Sequence, residues 1–142
     1  MRVDPNRQGG LILCKAHHAE FAGPGAAVGG MFDLDCVRTI AVGDVALIYP
    51  ESHQERQQAY RQRQEWFNSI QQPLMELVPL HRAQKILHLF AQSFDGKTVA
   101  NLPSEALAML VGVFPHTIAM AKQSLKQHAA PQKPLAIPRA LS

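Results

Sequence analysis

Apolar residues along this chain keep two rhythms. Up to Pro50 they come in short runs broken by Gly, Pro and Asp, and beyond it they recur every three to four residues. The first rhythm predicts strands and turns, the second amphipathic helices. Residues 1–10 (MRVDPNRQGG) are expected to be a flexible start, and Leu11–Cys14 is an apolar run that predicts a strand. Glu20-Phe21 leads into Ala22-Gly23-Pro24-Gly25, a strong turn signal. In Val28-Gly29-Gly30-Met31-Phe32 the paired glycines imply a bulge or a close backbone approach. Arg38–Val42 and Val45–Tyr49 read as two strands joined across Gly43-Asp44, a two-residue hairpin cue.

After Pro50 the pattern turns helical. Glu51–Gln72 is rich in Gln and Arg, and its few apolar residues (Ala59, Tyr60, Trp66, Phe67, Ile70) suit a helix lying on a sheet or pairing with its own symmetry mate. Pro73 is expected to interrupt it. Leu74–Gln92 is expected to resume as a helix with Leu77, Leu80, Ile86, Leu87, Leu89 and Phe90 as its core, kinked or split at Pro79. Asp95-Gly96-Lys97 reads as a turn and Thr98–Ala100 as a short strand. Two helices then follow, Ser104–Val111 and Pro115–His128, joined by Gly112-Val113-Phe114. Ala106, Leu107, Leu110 and Val111 give the first an apolar face, and Ala108 is small where a second helix must cross closely. Gly112 sits where the chain reverses, and Pro115 suits a first helical turn. Val113, Ile118, Ala121 and Leu125 are expected to form the buried face of the second helix. The pattern is that of a helix-turn-helix, whose second helix lies in the DNA major groove. Three prolines in the last twelve residues resist regular structure, with Leu135–Ile137 as a candidate edge strand.

Charge sharpens this picture. The net charge of +3 is unevenly split. Residues 1–79 hold seven Lys/Arg against nine Asp/Glu, whereas residues 80–142 hold seven Lys/Arg against Asp95 and Glu105 alone. A basic segment that also carries the helix-turn-helix pattern suits attraction to phosphates. No apolar run approaches a membrane span, and the polar N-terminal stretch is not the pattern of a secretory signal. Cys14 and Cys36 stand alone and are expected to be reduced thiols in a cytoplasmic protein. Cys14, His17 and His18, with Asp35 or Cys36, are the residue types of a zinc site, but Cys14-x-x-His17 is one half-site without a second. No Ser-His-Asp arrangement, phosphate loop or paired-carboxylate motif is visible. The expectation is a non-enzyme with neither cofactor nor metal.

The stretch RAQKILHLFAQ (82–92) followed by LPSEALAMLVGVFPHTIAMAKQSL (102–125) resembles the DNA-binding domain of the cyclic-AMP receptor protein/fumarate-nitrate regulator family. Glu105-Ala106-Leu107-Ala108, Leu110-Val111-Gly112-Val113 and Thr117-Ile118 match the family's two-helix pattern. Phe21–Phe32 resembles the Gly-rich stretch late in its cyclic-nucleotide-binding β-roll, and Arg38–Ile48 its last strands. The resemblance implies a long dimerisation helix over Glu51–Gln72. The chain departs from the family in four places. The first half of the β-roll is lacking. Gly29-Gly30 replaces the Gly-Glu that would hold a ribose, so a bound cyclic nucleotide is not expected even with Arg38 near. Phe114-Pro115-His116 replaces Ser-Arg-Glu at the head of the recognition helix. The winged hairpin is reduced to a Pro-rich tail.

The expected fold is α+β: a partial antiparallel β-roll (1–50), a linking and dimerisation helix (51–79) and a helix-turn-helix, winged-helix-like domain (80–142). The expected function is a transcriptional regulator that binds double-stranded DNA as a homodimer. The outward residues of the second helix supply the contacts: His116 and Gln123 toward base edges, Thr117 toward a phosphate or thymine methyl, Met120 beside them, and Lys122 and Lys126 toward phosphates. Lys97 and Arg82 are further candidates for phosphate contact. The alternative is an interaction module with a degenerate helix-turn-helix that modulates another regulator, for which exposed Phe114 and Met120 would form an apolar patch.

Overall fold

The computed structural model describes residues 1–126. Strand β2 (Gly9–Cys14) organises the first third of the chain. It pairs antiparallel with β3 (Ala19–Ala22) on one side and β4 (Arg38–Gly43) on the other. Leu11 lies opposite Ala22 and Ala41, and Cys14 opposite Ala19 and Arg38. Side chains alternate across a strand, so Ile12 and Cys14 join Phe21 and Val42 on one face, while Leu13 joins Ala22 on the other. That second face is covered by Val3, Ala26 and Val28.

The N-terminal ten residues are not loose. β1 (Arg2–Val3) pairs with β5 (Leu47–Ile48), and Val3 is fully buried. The Gly43-Asp44 hairpin does not form either: β4 returns to β2, and β5 goes to β1. Gly43 takes a left-handed φ of 65°, and Asp44 donates its N–H to the Gln8 carbonyl at 3.1 Å. The turn therefore aims the chain across β2 toward the N-terminus. A long-range partner outcompeted the local one.

Five helices follow: α1 (His53–Leu74), α2 (Pro79–Ser93), α3 (Gly96–Ala100), α4 (Ser104–Val111) and α5 (Pro115–Lys126). Ser52 caps α1 by accepting the Glu55 N–H at 3.1 Å, and Glu55 reaches back to the Glu51 N–H at 2.8 Å. Pro73 does not end α1 but sits in its last turn; the break falls at 75–78, and Pro79 opens α2 at its first turn. Ile86, Leu87 and Phe90 are buried as expected, Leu80 and Leu89 pack at the edge, and Leu77, in the linker, is 88% exposed. The expected strand at Thr98–Ala100 is helix α3. Asp95 accepts the Thr98 N–H at 2.7 Å, so the Asp-Gly pair caps a helix instead of making a turn.

Buried residues from β2, β3, β4 and all five helices form one core. Phe21 lies at its centre, meeting Trp66, Phe90 and Phe94 edge-on at 5.2, 4.8 and 6.0 Å. The architecture is α+β, with small antiparallel sheets on which the helices pack. Among the described residues no single helix is long and apolar enough to cross a membrane. The expected end of the last helix at His128 and the candidate strand at Leu135–Ile137 lie outside the described residues.

Candidate nucleic-acid interface

Helix α4 ends on Gly112, whose φ of 65° and ψ of 43° are left-handed. The Val113 N–H closes onto the Ala108 carbonyl at 3.1 Å, a six-to-one bond that stops the helix and turns the chain. Three residues later Pro115 opens α5, and the two axes are bent by 106°. Ala106, Leu107, Ala108, Leu110 and Val111 on α4, and Ile118 and Ala121 on α5, fill the angle between them. Leu125, expected on the buried face, is 44% exposed.

Arg82 holds this corner. Its guanidinium donates to the Val111 carbonyl at 3.0 Å, to Gly112 at 3.3 Å and to Glu76 at 3.0 Å. The last carbonyls of a helix have no partner within it and carry its partial negative charge. Arg82 satisfies two of them and ties the α4–α5 corner to the α1–α2 linker.

The candidate contact residues of α5 separate into three groups. His116, Met120, Gln123 and Lys126 are exposed. Thr117 is half-buried, and its N–H donates to the Phe114 carbonyl at 2.9 Å. Lys122 turns inward: its ammonium donates to the Ala100 carbonyl at 3.4 Å and to the Leu102 carbonyl, where it caps the end of α3. Burial holds its pKa below the usual lysine value. Of the two lysines expected on phosphates, only Lys126 presents its charge freely to solvent. Phe114 stands 80% exposed at the corner, with Met120 46% exposed beyond it.

The residue types named as suited to zinc are not brought together. Cys14 is buried in the helix-facing core, whereas Cys36 packs toward the opposite face of the sheet. Among the described residues no three His, Cys, Asp or Glu side chains are placed to hold a metal ion.

Two further features stand out, of which the first escaped the sequence reading. The first is a buried ion network beneath the glycine-rich loop. Arg63, on the inner face of α1, donates to both carboxylate oxygens of Asp33 at 2.9 and 3.1 Å, to Glu20 at 3.1 Å and to the Ala27 carbonyl at 2.9 Å. Lys15 donates to Asp35 at 2.7 Å, to the Phe32 carbonyl at 2.7 Å and to Asp33 at 3.3 Å. Burial alone would raise the Asp33 carboxyl, but the bonds from Arg63 and the Gly29 N–H outweigh it and hold it below the usual carboxylate range. The glycine-rich loop is thus held from within: the Gly29 N–H donates to Asp33 at 2.6 Å. The second feature is a stripe on the outer face of α1. Tyr60, Phe67 and Leu74 recur every seven residues and are 51%, 40% and 36% exposed, flanked by exposed Gln57, Gln64 and Gln71. Phe32 extends the stripe, its ring 5.4 Å from that of Tyr60.

Comparison with protein-family models, with curated proteins and with solved structures gives no match for this chain.

Proposed function

We propose that this chain is a DNA-binding regulator, a divergent relative of the cyclic-AMP receptor protein/fumarate-nitrate regulator family, which lays α5 in the major groove and acts as a homodimer. The observation that carries the reading is the α4–α5 corner: a three-residue turn, a left-handed Gly112 and a bend of 106°. Helix-turn-helix units join their helices by such turns at about 90–120°. His116 and Gln123 are the exposed polar side chains suited to base edges, and Lys126 the exposed cation suited to a phosphate. With Lys122 engaged on α3, each copy has few phosphate contacts, so binding is weak and two copies are required. The uncharged stripe Tyr60–Phe67–Leu74 is the surface suited to pairing them, because its seven-residue repeat is that of a helix–helix seam.

The test is fluorescence anisotropy with random and selected duplexes at several salt concentrations. Each phosphate contact contributes about 0.9 to the slope of log affinity against log salt. Lys126→Glu should therefore lower that slope by about two in a dimer, one contact per copy. An unchanged slope, with no duplex preferred over random DNA, removes the reading.

A second reading is favoured by one observation. Phe114 and Met120 leave an apolar patch at the corner itself, where the family places polar base-reading residues. That patch suits docking on another protein. Association with a protein partner that is insensitive to salt and abolished by Phe114→Asp, without DNA affinity, would select it.

A further inference from the structure

On one flank of α5 a cavity of about 610 Å³ opens between α2, α3, α4 and α5. That volume lies within the range of sites for small organic ligands, about 300–1,000 Å³. Its solvent-facing walls are small and apolar, with Ala91 from α2, Ala100 from α3 and Leu125 from α5 above the buried Leu87 and Val99, and Ala119 leaves the mouth open. The polar groups gather on α5 and at the start of α4: Lys122, Lys126, Gln123 and Ser104. Among the described residues the lining holds two lysines and no carboxylate.

Lys122 is the informative side chain. An ammonium has three donors. Two go to the Ala100 and Leu102 carbonyls, which are neutral, and among the described residues the third has no partner; the side chain itself lines the cavity. Among the described residues no carboxylate reaches Lys122, so an anion entering the cavity would be its first counter-charge. We infer that this cavity binds an aliphatic carboxylate of medium chain length, its tail along Ala91, Ala100 and Leu125 and its carboxylate on Lys122 and Lys126. The depressed lysine pKa accords with this, since a bound carboxylate restores the stability of the ammonium. The site shares Lys126 with the proposed DNA contact, and its test contains no DNA, so the two readings fail separately.

The experiment is calorimetric or NMR titration of the full chain with decanoate, octanoate, decanol and decyltrimethylammonium, below their micelle concentrations. Decanoate should bind saturably at one site, at least about tenfold tighter than decanol, whose hydroxyl cannot make a charge-assisted bond. Octanoate should be weaker than decanoate by about fourfold per methylene removed. The decyl cation should not bind. Lys122→Met should reduce decanoate to the affinity of decanol while decanol binding persists, which reports an intact cavity. Ala119→Trp, filling the mouth from an exposed position, should abolish both and provides the test if Lys122→Met does not fold. Equal affinity for decanoate and decanol, no saturable binding of decanoate, or binding undiminished by Ala119→Trp overturns the proposal.

Discussion

Replacing Arg63 with Met removes the guanidinium while keeping most of the side chain's length and apolar contact. Four hydrogen bonds go: two to Asp33, one to Glu20 and one to the Ala27 carbonyl. The Asp33 side chain is only 6% exposed, so its carboxylate cannot turn to water. Breaking a buried ion pair by removing one partner costs about 3–5 kcal/mol. Here Lys15 stays at 3.3 Å and the Gly29 N–H at 2.6 Å, which places the loss at about 3 kcal/mol, the low end of that range. Urea unfolding followed through Trp66, the single tryptophan, reads it as a lower midpoint at unchanged slope.

The sign of the pH dependence separates this account from simple loss of packing. In the native chain Asp33 is held below its ordinary value of 3.8, so its contribution is present above that value and lost as pH falls through the lower folded pKa. In Arg63→Met the Gly29 and Lys15 bonds remain but the largest influence opposing burial is gone, so the folded pKa rises. The stability lost at Asp33 on acidification is therefore smaller in the variant than in the native chain. The stability gap between the two proteins should narrow from pH 7 to pH 3. A gap below about 1 kcal/mol at neutral pH, or one equal at both pH values, refutes the role assigned to Arg63.

Three further outcomes follow from the corner and the sheet. Gly112→Ala should cost about 1–2 kcal/mol from left-handed backbone strain alone, because a Cβ there meets nothing within 4 Å; Gly112→Asn should cost less, and thermal unfolding of the pair measures the difference. Gly23→Ala should destabilise by about 1–3 kcal/mol for the opposite reason, since its Cβ would lie 2.2 Å from the Trp66 ring and force it to move; a shifted Trp66 emission with a lower urea midpoint is the expected signature. Arg82→Gln should loosen the end of α4, seen as faster amide exchange at Val113 and Thr117, with the β2–β4 amides unaffected.

The helical half of the fold was largely legible because its signals are local. Apolar spacing, Gly112 and Pro115 place α4 and the start of α5 at the observed residues. The strands were legible singly but not in their pairing. Gly43-Asp44 is a real turn, yet β5 crosses to β1 because Val3 needs burial, and that partner lies more than forty residues away in sequence. Asp95-Gly96 failed in another way. The same dipeptide serves as a hairpin turn or as a helix N-cap, and the choice was made by the burial of Val99 against α2.

The site shows the same division between what spacing reveals and what partners decide. Arg63 lies in line with Ala59, Trp66 and Ile70 at four, three and four residues, so its inward position is written in the periodicity; the signal was a charge on an apolar face, with acids in the loop ahead of it. The stripe of Tyr60, Phe67 and Leu74 was likewise visible as a repeat of seven. Lys122 was not. On a helical wheel it sits beside Ala119 and Gln123 and reads as an outward cation, but the end of α3 leaves carbonyls unpartnered within its reach. A lysine goes where its charge is best solvated, and backbone acceptors in a neighbouring element are invisible to any pattern along its own. That single redirection halves the expected phosphate contacts of α5 and leaves Lys126 as its free cation. It also leaves a half-buried positive charge on the wall of an apolar cavity, where an anionic ligand would complete it.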